Sequence, residues 1–473
     1  MRHPLKVWIF SWLLLFKTAC NGTAVCTGTA CIAVVACVGA GCIGTAREPP
    51  PPFDPNPSES VCKAQRKLAE RLGVNRMVMG IMTANTPEHY ENIIRGVPYG
   101  LKYRYLANGA PEDPSCFETC SNRCYCATRS TNEHVCRGGR QQWWGCWDVN
   151  SGGKPGADLR RLLTSSEAAG QIPMVVYYTS YQTIAEGAGA LPAGLTHRDN
   201  VRDYFRDWRF MLTLVDEYQK ERNKPVMIHI EPDLWGSAQQ GGPGRNGPEN
   251  LPVEVQYAAE GDCPEQENNF AGFGICMVRM ARHYAPQALI GFMASGWATG
   301  VDINLNTSAN MDIEGVAVSA GEYLNKLGAN LGDFLVVEFS DRDAGFYEIE
   351  QNQPTRWYDV NNQSFPNFHR TFLWGKTLAD TVKLPLVWWQ IPMGHMGLSN
   401  SQRGCRQNCT WRDNRVEYLF SHLNEVAATQ SIALAFGPGD GAQTNPITDG
   451  GFLAGRVRAY AATSGQPLVC IDP

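Results

Sequence analysis

The sequence predicts an α/β protein folded as a (β/α)8 barrel of the TIM type, open to distortion, with a disulfide-rich insertion after the second strand. Three features predict it. Short apolar runs rich in Val, Ile, Leu and Met recur eight times between residues 77 and 436. Most are separated by stretches of helical periodicity, the βα alternation of a parallel sheet. The runs are continuous rather than alternating, as suits strands buried on both faces. No short fixed period repeats, which argues against a solenoid.

The elements follow in order. A helix over 61–72 carries Cys62, and Met77–Met82 is the first strand. A helix over 87–95 has Thr86 as its expected N-cap. Leu101–Leu106 is the second strand and Ile172–Tyr178 the third, after a helix over 157–169. A long amphipathic helix over 200–221 precedes the fourth strand, Lys224–Ile230. The fifth, sixth, seventh and eighth strands are Ala288–Met293, Phe334–Phe339, Leu384–Gln390 and Ile432–Phe436. Helices are expected over 268–284, 321–327, 368–381, 413–426 and 451–462.

The composition bounds the function. The chain has 473 residues with 43% hydrophobic and 10% aromatic side chains, enough to fill a large core. Charged residues are 18% and the net charge is −5, with no basic stripe, so nucleic acid is not expected as a partner. Sparse charge with 17 cysteines points to an oxidising compartment. Arg2 and Lys6 flank a short apolar core over 7–16, the pattern of an export signal. Lipobox-like endings at Cys20, Cys37 and Cys42 predict either a lipid-anchored or a plainly secreted product. A leader over 1–45 and a proline-rich linker over 46–58 would then precede a barrel domain over 59–473. The linker composition is stiff and extended.

The insertion, 108–156, holds Cys116, Cys120, Cys124, Cys126, Cys136 and Cys146. In an exported, core-poor segment these favour disulfides over zinc. Its Trp143, Trp144 and Trp147 are candidates for ligand contact. The loop from Asp148 to Asp158 has two calcium-loop spacings, Asp148 and Asn150, but later ligand positions are wrong. No metal and no cofactor are expected, since the histidines are few and scattered.

The expected site lies at the C-terminal ends of the strands, where parallel barrels build active sites. The fourth strand ends in Glu231-Pro232-Asp233, then Trp235. Pro232 has no N–H for the sheet ladder, so pairing stops there. Strict alternation would place Glu231 inside the barrel, with His229 just beneath it. The sixth strand ends in Glu338, followed by Asp341 and Asp343, and the seventh in Trp389-Gln390. The third strand runs into Tyr177, Tyr178 and Tyr181, and the fifth into Trp297. Acids opposed across an aromatic-walled cleft suit glycosidic bond cleavage, which uses two carboxyl groups.

Three segments resemble the family-six glycoside hydrolases, the cellobiohydrolase and endoglucanase group. They are Val175-Val-Tyr177, Ile228-His-Ile-Glu-Pro-Asp233 and Val336-Val-Glu-Phe-Ser340, in the order in which that family carries similar strands. The resemblance implies that Asp233 is the general acid. The family's acids after the third and seventh strands have no counterpart near Gln182–Ile184 or Met393–His395. An analogy with the Asn-Glu-Pro barrel glycosidases would instead select Glu231. Their seventh-strand nucleophile meets Gln390 here.

The sequence therefore predicts an exported glycoside hydrolase acting on a polysaccharide or oligosaccharide. Asp233 or Glu231 is the expected acid and Glu338 or Asp341 the second carboxylate. Tyr177, Trp235, Trp297, Trp389 and Gln390 are expected to bind sugar. The alternative is a non-catalytic carbohydrate-binding surface protein on a degenerate barrel, motivated by the missing acids.

Overall fold

Strands β1 (Val78–Met82), β2 (Leu101–Ala107), β3 (Ile172–Tyr178), β4 (Met227–Ile230), β5 (Leu289–Met293), β6 (Phe334–Val337), β7 (Leu386–Ile391) and β8 (Ser431–Phe436) close into one barrel. The structure is a computed structural model describing residues 58–83, 87–121, 124, 143–184, 191–439 and 441–471. The leader, most of the linker, Thr86, Cys126 and Cys136 lie outside the described residues. Every neighbouring pair of strands is parallel, and β1 closes the ring against β8 through Val78–Ala433 and Ile81–Phe436. This is the predicted (β/α)8 architecture, and the apolar runs form it because both faces of each strand are buried.

Differences from the expected elements are local. The helix expected over 321–327 extends over Ile313–Lys326, opened by Asp312, whose carboxylate accepts from Gly315 N at 2.9 Å. The single helix expected over 413–426 is two, Arg415–Ser421 and Leu423–Ala428, broken at His422.

The ends of the described chain meet beneath the barrel. Cys62 on helix Glu59–Leu72 is bonded to Cys470, across a sequence separation of 408. Beside it, Gln65 Nε2 donates to the carbonyl of Ser431, the first residue of β8, and Cys470 N donates to Gln65 Oε1. This seals the face opposite the strand ends.

The described parts of the insertion are held by Cys116–Cys124 and Cys120–Cys146. Two further bridges, Cys263–Cys276 and Cys405–Cys409, tie other connections. Disulfides in this number fit an oxidising compartment. Among the described residues, no helix is long and apolar enough to cross a membrane. Trp143 and Trp144 are fully buried, so they are core and not ligand contacts as their composition suggested. Asp148 pairs with Arg161 at 2.5 Å, and buried Asp158 pairs with Arg104 at 2.6 Å. The calcium-like loop thus spends two of its acids on arginines. Among the described residues, no group of three His, Cys, Asp or Glu side chains could hold a metal.

Candidate active site

A cleft of about 580 Å³ opens at the C-terminal ends of the strands. Tyr105, Tyr178, Trp297 and Trp389 supply its aromatic lining, and Asp233, Asp302, Glu338 and Asp341 its acids. Gln390, Asn304, Arg342, Arg356 and Tyr347 complete its polar wall.

Alternation explains much of this lining. Tyr103 and Tyr105 on β2 both face inward onto Trp389, with ring centroids 6.2 and 5.8 Å away. Tyr178 lines the cleft, so its neighbour Tyr177 faces the helices. There the Tyr177 hydroxyl donates to Asp207 at 2.8 Å. Glu338 faces the cleft, while Phe339 turns outward and stacks on Trp388 at 4.4 Å.

Two strand ends break alternation, each through a non-glycine residue at positive φ. On β7, the register shifts between Trp388 and Ile391, and Gln390 has φ 54°. This irregularity lets two consecutive residues, Trp389 and Gln390, line the same cleft. Gln390 Nε2 donates to the Tyr105 hydroxyl at 2.6 Å.

On β4, Glu231 N makes the last rung to Tyr177 O at 2.8 Å, and its φ is 48°. That turn carries the carboxylate away from the barrel interior, contrary to the alternation expected from sequence. Glu231 Oε1 accepts from Thr179 N, Ser180 N and the Tyr204 hydroxyl, each at 3.0 Å. Its Oε2 accepts from Ser180 Oγ at 2.5 Å. Tyr204 belongs to helix Arg198–Arg222, so Glu231 is wedged between barrel and helix. Burial pushes its carboxyl up to about 8, against the pull of these donors. His229 does lie inside, edge-on to Trp389 at 4.6 Å, and burial alone lowers it to about 3.

Asp233 emerges into the cleft two residues later. The Tyr178 hydroxyl donates to its Oδ2 at 2.5 Å. Burial raises its carboxyl, the Tyr178 bond lowers it, and Asp341 raises it further. Asp341 itself accepts from Arg342 at 2.5 Å and from the Tyr347 hydroxyl.

Glu338 is the least supported of these acids. Among the described residues, no group hydrogen-bonds its carboxyl. Burial raises it well above the usual carboxylate range, and Asp341, Asp233 and Asp302 add to the rise against Arg356. A carboxyl so placed is biased toward its protonated form. Asp302 is also raised, chiefly by burial, although Asn304 N donates to it at 2.9 Å.

Of the nine residues singled out from sequence, Asp233, Glu338, Asp341, Trp297, Trp389 and Gln390 line the cleft together. Glu231, Tyr177 and Trp235 do not. Trp235 is buried against Phe270 and Phe292, and its indole N–H donates to Ile230 O at 2.9 Å. Sequence reasoning missed Tyr105, Asp302, Arg356 and Tyr347. Tyr105 had a signal, being two residues before the end of a strand on the inward phase. The other three come from the long connections after β5 and β6, Tyr347 on the helix Ala344–Gln351, and only packing decides their course.

No family model matches the chain, and no curated protein matches it. Among solved structures, it is similar to a thermostable mutant of a xylanase from Cellvibrio japonicus, at 12% identity and a TM-score of 0.36, covering 76% of this chain and 86% of that one. It is similar to a β-mannanase from Alicyclobacillus acidocaldarius at 8% identity and a TM-score of 0.38, covering 83% and 99%. A family 39 glycoside hydrolase from Bacteroides cellulosilyticus matches at 10% identity and a TM-score of 0.40, covering 81% and 64%. Likeness at this level assigns neither a family nor an activity.

Proposed function

We propose that the chain is a glycoside hydrolase whose cleft cleaves a polysaccharide or oligosaccharide between Glu338 and Asp233. The observation that carries this reading is the unequal support of the two acids within one aromatic cleft. Glu338, without a hydrogen-bond donor and surrounded by other carboxyls, keeps its proton and serves as general acid. Asp233, with the Tyr178 hydroxyl on its Oδ2, is the one held as a carboxylate and acts as base or nucleophile. This exchanges the roles that the family-six resemblance implied. Asp341, engaged by Arg342 and Tyr347, supplies charge that keeps Glu338 protonated.

Sugar rings would stack on Tyr105, Tyr178, Trp297 and Trp389. Gln390, whose amide N–H is committed to Tyr105, offers its carbonyl oxygen to a hydroxyl. The reading extends to export. The five bridges suit secretion, with or without a lipid anchor at Cys20, Cys37 or Cys42.

The test is release of new reducing ends from a polysaccharide panel by the purified protein, beside Glu338→Gln. Loss of release in that variant with unchanged melting supports the reading. Binding without release by the unaltered protein would make the cleft a carbohydrate-binding site instead.

A further inference from the structure

We propose that Tyr181 is an outer sugar-binding residue at the rim of the cleft, so that the ligand is a chain longer than the cleft encloses. The inference rests on the carbohydrate reading of the cleft, and extends it to a binding position outside the cleft. Its starting point is a succession of neighbouring rings. Trp389 lies 5.8 Å from Tyr105, Tyr105 lies 6.3 Å from Tyr178, and Tyr178 lies 6.4 Å from Tyr181. Trp389, Tyr105 and Tyr178 line the cleft, whereas Tyr181 does not. It sits one step beyond Tyr178, on the short helix Ser180–Thr183 that follows β3.

The exposure of Tyr181 sets it apart. Among the described residues, Tyr181 and Tyr257 are the aromatic side chains most open to solvent, at 50% and 40%. Tyr257 is already occupied. The Arg198 guanidinium lies 4.5 Å over its ring, and its hydroxyl donates to Asp199 at 2.8 Å. Among the described residues, no cation covers Tyr181 and no group hydrogen-bonds its hydroxyl. A single exposed tyrosine is ordinary. One that continues a run of cleft-lining rings outward is placed to take an apolar sugar face.

The backbone beneath it is hydrogen-bonded to the core. Thr179 N and Ser180 N both donate to the buried Glu231 carboxyl group, so the ring is presented from a turn anchored at its base. Glu231 is thereby a positioning residue for the rim. A cleft of about 580 Å³ accommodates a few sugar rings, and those further along the chain must lie outside it. Binding them at Tyr181 lowers KM without touching the reacting bond.

The experiment measures affinity of xylo-, manno- and cello-oligosaccharides, from trisaccharide to hexasaccharide, by titration calorimetry. It is run in the Glu338→Gln protein with and without Tyr181→Ala, so that no turnover is required. The expected result is that the gain in affinity from trisaccharide to hexasaccharide shrinks by roughly fivefold to tenfold in the Tyr181→Ala background, and is retained with Tyr181→Phe. In the active protein, Tyr181→Ala then raises KM for polymer at constant kcat. Equal weakening at every length, an unchanged gain, or no binding of any of the three hexasaccharides overturns the proposal. Failure of the hydrolase reading is told apart by the active protein releasing no reducing ends while the length-dependent binding persists.

Discussion

Two acidic layers lie on either side of Pro232, and they differ in how completely their charges are met. Behind β3 and β4, Glu231 accepts from four donors. Asp207 accepts from the indole N–H groups of Trp143 and Trp144 and from the Tyr177 hydroxyl. In the cleft, Asp233 accepts one bond from Tyr178, and Glu338 has no donor among the described residues. A buried carboxyl group with a full set of hydrogen-bond partners holds structure together. One left short of donors in an accessible cleft is available for chemistry. Two acids separated by a single proline thus belong to different layers.

The largest expected effect tests the cleft layer. Glu338→Gln should lower turnover by about 10²- to 10⁴-fold, the usual worth of a general acid. Its melting temperature should hold or rise, because a poorly supported acid is removed. A collapse in stability with activity retained would merge the two layers into one structural network.

The reverse pattern is expected behind the sheet. Glu231→Gln should cost about 1–3 kcal/mol of stability, because the amide N–H₂ brings more donor hydrogens than a carboxyl group into a site already lined by four donors. Chemical denaturation measures it. The folded fraction should keep its kcat, with any change confined to KM through the Tyr181 turn. A kcat loss as deep as that of Glu338→Gln would return Glu231 to the catalytic group.

The pH dependence separates the layers further. His229, lowered to about 3 by burial, is neutral in the folded protein. Its folded pKa lies below the unfolded value, so stability falls as pH drops from about 6.5 toward 3, by up to about 1.4 kcal/mol per pH unit. The His229 contribution is read as the difference between thermal melts of the unaltered protein and His229→Gln across that window, because the raised Glu231 carboxyl acts with the opposite sign over part of it.

Activity should depend on pH in a bell shape. The alkaline limb falls as Glu338 loses its proton, and the acid limb falls as Asp233 gains one. Tyr178→Phe removes the donor that favours the Asp233 carboxylate, so the acid limb should move to higher pH. An unmoved limb would exclude Asp233 as its source. The smallest contrast is Gly439→Ala. A Cβ there would collide with the Asp341 carbonyl and lie 2.9 Å from Gln390 Nε2, so KM and kcat should worsen severalfold and melting should fall, because backbone has to move to admit it.

The sequence by itself determined the barrel and which end of it carries the cleft. Apolar runs such as Ile172–Tyr178 and Leu289–Met293 bury both faces whatever surrounds them, and Pro232 ends β4 for want of an N–H. It also brought out Asp233, Glu338 and Trp389, because inward phase and strand ends are local properties. Tertiary structure alone decided where Glu231 points. Its φ of 48° is stabilised by donors from β3's turn and from Tyr204 on a helix, contacts remote in sequence. The same holds for Gln390, aimed by the irregular pairing of β7 with β8, and for Asp302 and Arg356, delivered by loops. The period of a strand is written in its residues, but the turn that breaks that period depends on partners from elsewhere in the fold.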